Sequence, residues 1–166
     1  MAVTLVRVDD RIIHGQTTTR WTKARDVFGI IVVGDNVAKD ELRKKVLKAA
    51  AGNYKLGIYN EEVGVEKIAQ AFAAPKNYFI IAESPVVFAN LVEKGVNLGS
   101  EINIGPMNAK PGAKTLGNTT SLDENDYKAF EYLNDQGYHL SFQIIPSEKP
   151  RTWDQVKNKY NSIESV

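Results

Sequence analysis

Cysteine is absent from the chain, which excludes disulfides and thiolate-bound metal. No window approaches the roughly 20 apolar residues that a bilayer crossing needs. The amino terminus has no apolar core behind a basic segment, so the sequence reads as soluble and unexported. An excess of one charge is also missing: 21 Lys and Arg stand against 20 Asp and Glu, a formal net charge of +1. Without a lysine-arginine block or a series of stacking aromatics, nucleic acid is not an expected partner. There is no Gly-x-Gly-x-x-Gly and no Walker lysine, which removes the support for a nucleotide-binding module. No internal repeat, low-complexity tract or linker divides the chain. With 166 residues and 43% hydrophobic content it can bury one sizeable core, so residues 1–166 are read as one domain.

What is present is a regular alternation of strand and helix patterns. Val3 to Val8 is β-branched and apolar, and Phe28-Gly29-Ile30-Ile31-Val32-Val33 is a continuous apolar run of the kind buried on both faces of a parallel sheet. Asp35 and Asn36 offer caps for a helix over 38–51, closed by Gly52-Asn53. Further strands are expected over 54–59, 77–82 and 101–104, with an amphipathic helix over 61–73 and another over 86–94, capped by Ser84-Pro85 and stopped by Gly95. Residues 105–120, rich in breakers, predict a long loop with a brief strand near 114–116. Ser121 with Glu124 resembles a capping box for a helix to about Asp135, ended by Gly137. Tyr138 to Ile144 alternates as a half-covered edge strand would, and 152–160 reads as a terminal helix. The expected fold is therefore α/β: one doubly wound, mostly parallel sheet with helices on both faces and an antiparallel edge strand.

Histidine is scarce, with only His14 and His139 in the chain. His14 falls where the first strand gives way to a helix, within Arg7-Val8-Asp9-Asp10-Arg11-Ile12-Ile13-His14-Gly15-Gln16. Ligands of open α/β sheets collect at carboxyl ends of strands, and helix N-termini present free amides to anions. A group that titrates near neutrality, flanked by two arginines and two aspartates, fits a phosphate-handling histidine. The plainer reading is a surface loop whose charges pair with one another. His139, in an alternating strand, reads as a structural position.

The run Arg7 to Gln16, followed by Trp21, resembles the amino-terminal signature of enzyme IIB of the mannose-fructose-sorbose class of the sugar phosphotransferase system. Val32-Val33-Gly34-Asp35-Asn36, Ile102-Asn103-Ile104-Gly105-Pro106-Met107, Ser121-Leu122-Asp123-Glu124 and Gln143-Ile144-Ile145-Pro146 agree in order and spacing. The resemblance spans nearly the whole chain. It implies a cytoplasmic phosphotransferase subunit, peripherally associated with a membrane transporter and lacking metal or organic cofactor. Such a subunit takes a phosphoryl group from a phosphorylated IIA protein or domain onto His14, then passes it to a sugar carried by the membrane IIC/IID components. The family reads Gly-Gly-Met or a close relative where this chain has Gly105-Pro106-Met107, so the likeness does not extend to the function of that loop. The sugar is not legible. A homo-oligomer stays open, because apolar helix faces serve a fold and a subunit interface alike.

Within the first loop, Asp9 or Asp10 is expected to hold one ring nitrogen of His14 and so select the tautomer, the other aspartate serving the turn. Arg11 is expected to meet a transferred phosphoryl oxygen. Arg7 lies on the same side of the strand as Asp9 and either pairs with it or widens a basic rim. Gly15, Gln16 and Thr17 would open the helix with amides facing phosphate. Trp21 is expected to pack against the sheet. Lys110 and Lys114 of the 105–120 loop would add positive charge for phosphate or partner. The rival reading takes His14-Gly15 as the motif of a histidine phosphatase or phosphoglycerate mutase, but Ile13 stands where that motif has arginine, and His139 would have to supply a second catalytic histidine.

Overall fold

The computed structural model describes residues 3–164, and it does not describe the side chains of Gln16 and Thr17. Elements follow in the order β1 (Val3–Val8), α1 (Gly15–Ala24), β2 (Gly29–Val33), α2 (Asp35–Lys39), α3 (Glu41–Ala51), β3 (Lys55–Tyr59), α4 (Glu61–Ala73), β4 (Tyr78–Ala82), α5 (Pro85–Glu93) and β5 (Glu101–Ile104). They continue with β6 (Lys114–Thr115), β7 (Ser121–Leu122), α6 (Glu124–Asp135), β8 (His139–Phe142), β9 (Arg151–Thr152) and α7 (Trp153–Ser162). Seven strands form one sheet in the order β3-β2-β4-β1-β5-β8-β9, parallel except where β9 runs against β8.

Strand alternation sorts the apolar side chains into two cores, one on each face of the sheet. Leu5, Ile30, Val32, Phe79 and Ile81 face α1, α2 and α3 through Trp21, Val37, Leu47 and Ala51. Val6, Val8, Ile31, Val33, Ile80 and Ala82 face α4 to α7 through Ile68, Phe88, Phe130 and Trp153. This arrangement positions the site. From the end of β1 the chain leaves toward one face, whereas the connections from its neighbours β4 and β5 leave toward the other. The crevice of a doubly wound sheet opens at such a divergence, here directly above β1.

Three local expectations are corrected. The single helix over 38–51 is broken at Asp40, which adopts an extended backbone and accepts from Arg43 N at 3.0 Å, capping α3. The capping box before α6 is Asp123 with Asp126, each carboxylate accepting from the other residue's backbone N–H, because Ser121–Leu122 is spent pairing with Lys114–Thr115. The strand after Gly137 is not an edge: β8 lies parallel to β5 and is covered on its other side by β9.

Candidate functional site

The ladder of β1 continues past its last residue: Asp9 N donates to Ala82 O at 2.9 Å and Gly105 N donates to Val8 O at 2.7 Å. Asp9 is thereby fixed at the carboxyl end of the central strand, 1% exposed. The chain then turns back on itself, with Ile12 N donating to Asp9 O at 3.0 Å. Ile12 pays for the tightness of this turn with a φ of +65°, a left-handed conformation costing on the order of 1–3 kcal/mol for such a residue. Burial of Ile12 and Ile13 in the same core as Trp21 holds it there. His14 follows as the N-cap of α1, its backbone N donating to Thr18 Oγ1 at 2.9 Å. Gly15, the first residue of α1, takes φ +48°, a conformation that glycine adopts without strain.

The imidazole faces inward on one side only. Nε2 lies 2.9 Å from Asp9 Oδ2, while the ring is 20% exposed. An ionised carboxylate can only accept, so the proton sits on Nε2 and the lone pair on Nδ1. Asp9 Oδ1 accepts from Arg11 N at 3.1 Å, which fixes the carboxylate plane. Of the two candidate aspartates it is Asp9 that touches His14. Asp10 is turned away: its N donates to Pro106 O at 3.2 Å and its Oδ2 accepts from Asn108 N at 2.6 Å, so it joins the first loop to the one after β5. The structural role left open for one of the pair thus falls to Asp10, which ties the two loops together.

Behind Asp9 sits Arg7, 1% exposed, with Nη2 3.6 Å from Asp9 Oδ2. Its other donors reach Asn103 Oδ1, Gln143 O at 2.9 Å and Ile144 O at 3.0 Å, and its guanidinium lies 4.8 Å from the Trp21 ring centre. Trp21 Nε1 donates to the same Ile144 carbonyl at 2.8 Å. A Cβ at position 105 would overlap the Arg7 guanidinium, so glycine is required there. Burial lowers the pKa of Arg7 to about 10 against the opposing pull of Asp9, which leaves it cationic at neutral pH. Arg7 is thus no part of a solvent-facing rim. It is the buried counter-ion of the carboxylate that holds His14.

Arg11 is exposed, and its guanidinium makes no ion pair or hydrogen bond among the described residues. Gly15, Gln16 and Thr17 form the first turn of α1, as expected, with Gly15 exposed; the side chains of Gln16 and Thr17 lie outside the described residues. The lysines of the long loop are engaged elsewhere. Lys110 Nζ lies 3.2 Å from Asp123 and 2.8 Å from Asp126 at the start of α6. Lys114 Nζ donates to Tyr160 O at 3.3 Å and sits 4.2 Å over the Tyr160 ring. His139 is exposed at the first residue of β8, the opposite end of the parallel sheet from His14. A phosphatase site would need it beside His14.

Four residues of this neighbourhood carry no site role in the sequence reading: Asn103, Arg43, Glu83 and Gln143. Glu83 follows the end of β4, the strand beside β1, and the rule for strand ends signals it. Arg43 joins it from α3, with Nη1 2.6 Å from Glu83 Oε2 and Nη2 donating to Asp10 O at 3.3 Å, a tertiary contact without local signature.

Chemically, the arrangement offers a partly exposed imidazole whose Nδ1 is not engaged by Asp9, an anion behind the ring to stabilise positive charge on it, an exposed arginine three residues before it in the loop, and a helix that starts at the next residue. Among the described residues no helix is long and apolar enough to cross a membrane. Residues 3–165 match the family described as PTS system sorbose subfamily IIB component. The PTS system fructose-specific EIIB component of Bacillus subtilis (strain 168) is 36% identical over 161 residues, 94% of this chain and 96% of that protein. The PTS system mannose-specific EIIAB component of Escherichia coli (strain K12) is 37% identical over 152 residues, which make up 89% of this chain but 46% of that longer protein. The crystal structure of the IIBSor domain of the sorbose permease from Klebsiella pneumoniae matches with a TM-score of 0.87 at 32% identity, covering 99% of each chain.

Proposed function

The chain belongs to the sorbose subfamily of IIB components of the sugar phosphotransferase system, and from that premise we propose that it carries a phosphoryl group on Nδ1 of His14. The donor is a phosphorylated IIA protein or domain, and the acceptor is a sugar held by membrane IIC/IID components. One observation carries the reading: buried Asp9 accepts a hydrogen bond from Nε2–H of His14 at 2.9 Å and leaves the Nδ1 lone pair as the nucleophile. In transfer the donor P–N bond breaks as a P–Nδ1 bond forms. The ring then bears positive charge that Asp9 offsets without moving, because Arg7 and the Arg11 amide already hold it in place. Arg11 supplies charge to the phosphoryl oxygens in flight. The same geometry run backwards gives the group up to the sugar hydroxyl. The relatives are named for fructose, mannose and sorbose, so the acceptor class is a hexose. A fused EIIAB relative supports a IIA donor. On this reading the subunit works in the cytoplasm, against the transporter.

The test is incubation with a phosphorylated IIA protein, followed by mapping of the label. One acid-labile, base-stable phosphoryl group on Nδ1 of His14, seen by nitrogen-phosphorus coupling and absent from His14→Ala, is the expected result. Label on His139, or on Nε2 of His14, overturns the assignment.

A further inference from the structure

The near-neutral chain hides a segregated charge. Residues 10–54, which hold the His14 loop and the helical layer α1 to α3, carry nine Lys and Arg against five Asp and Glu, whereas residues 55–166 carry eleven against fourteen. Within that basic layer, Leu42 and Val46 stand 74% and 59% exposed one turn apart on α3, with Lys45 exposed between them and Lys48 exposed beyond. Single exposed aliphatics are ordinary on protein surfaces, but an i,i+4 pair beside a reactive loop is a patch. The opposite side of α3 is firmly seated: Leu47 and Ala51 share a core with Ile12 and Ile13 of the His14 loop, and Arg43 grips Asp10 O and Glu83. The helix that carries this outward face is therefore tied directly to the His14 loop, through Arg43 on Asp10 O and through the shared core.

We propose that this face, continued by exposed Arg11, is the docking surface for the phosphorylated donor protein, and that its charge favours the phosphorylated donor over the spent one. The inference rests on the carrier reading. It commits to the donor because the two partners differ in charge: the donor brings a dianionic phosphoryl group, whereas the acceptor group is a neutral hydroxyl. Apolar anchors flanked by cations suit an acidic protein surface that must bind briefly. Transfer then weakens its own complex. As the donor P–N bond breaks and the P–Nδ1 bond forms, the dianionic phosphoryl group leaves the donor and arrives on the basic face beside Arg11, a net transfer of one negative charge, while the Nε2 proton stays on His14 and hydrogen-bonded to Asp9. Attraction falls on both sides at once, which releases the donor and exposes the loaded His14.

The experiment uses the full chain and a purified IIA protein of the same system, phosphorylated or not. His14→Ala, which cannot accept the group, serves as a stable docking partner for affinity measurement. It is expected to bind the phosphorylated donor on the order of tenfold more tightly than the spent one at low salt, with the difference shrinking as salt rises. The pairs Leu42→Ser with Val46→Ser, and Lys45→Glu with Lys48→Glu, should each raise the donor concentration needed for half-maximal transfer by about tenfold or more and leave the rate at saturation unchanged. Lys128→Glu on α6 should change neither, and circular dichroism verifies that all variants are folded. Equal affinity for the two donor forms, or unaltered donor dependence in both α3 pairs, overturns the proposal. So does a variant-sensitive association of the chain with phosphatidylglycerol vesicles while donor kinetics stay as in the parent, which would assign the face to lipid. Failure of the carrier reading looks different: wild-type His14 stays unlabelled at saturating phosphorylated donor.

Discussion

β1 and β5 lie side by side, and each ends in a charged loop at the same end of the sheet, yet the two loops spend their charge in different ways. The loop after β1 is six residues long and turns its charge onto the site: Asp9 is buried beneath His14, and Arg11 is left free in solvent. The loop after β5 is longer and turns its charge onto the scaffold, with Lys110 bridging Asp123 and Asp126 and Lys114 covering Tyr160. The difference lies in what completes each charge. A lysine that two carboxylates of a helix start already satisfy has little attraction left for phosphate, while an aspartate whose second oxygen holds an imidazole has been placed there for the ring. Counting basic residues near a strand end cannot separate these cases.

The comparison is broken most forcefully at Arg7. Arg7→Met should cost roughly 3–5 kcal/mol of stability, since it leaves Asp9 buried without a counter-ion, and denaturant unfolding measures it; a loss under 1 kcal/mol would mean that the carboxylate does not depend on the guanidinium. Asp9→Asn comes next. It preserves shape but lets the amide hydrogen-bond with either tautomer, so transfer to His14 should slow by about 100- to 1,000-fold, the scale of a lost electrostatic partner, with rapid-quench labelling as the readout. Full-speed transfer in this variant would remove Asp9 from the chemistry. Arg11→Ala should slow transfer by on the order of a hundredfold while the unfolding midpoint stays put, because its side chain is exposed. The smallest effect belongs to the other loop: Lys110→Ala should lower stability by about 1 kcal/mol and leave transfer untouched. A transfer defect there, with stability preserved, would reverse the contrast between the loops.

Much of this was legible in the sequence because it is local. The strand-helix alternation follows from short apolar runs and caps, and His14 with Arg11 falls within one loop between two of those elements. Strand alternation put Arg7 and Asp9 on one side of β1, which is why their pairing was foreseeable; the choice between Asp9 and Asp10 was not, since either reaches His14 along the chain. What decides it is Asn108, 98 residues distant in sequence, which claims the Asp10 carboxylate. Asn103, Gln143 and Ile144 around Arg7 are likewise brought in by β5 and the turn after β8, elements whose approach no local pattern encodes. The break at Asp40 escaped for the opposite reason. Helix propensity runs on through Lys39 and Glu41, and a single extended residue overrides it by capping the second helix more favourably than it could continue the first.

The stacking of Arg7 on Trp21 has an optical consequence. The chain has two tryptophans, and they lie in opposite cores: Trp153 donates to Glu131 on the other face of the sheet, while Trp21 lies against the Arg7 guanidinium and shares the Ile144 carbonyl with it. An indole whose ring faces a cation that is itself paired to the carboxylate of the reactive imidazole senses the local field as that imidazole gains and loses charge. In a Trp153→Phe background the emission of Trp21 should shift on phosphorylation and return on discharge, giving a label-free clock for each half of the cycle; an emission spectrum identical in the two states would show that the field of the phosphoryl group ends at Asp9.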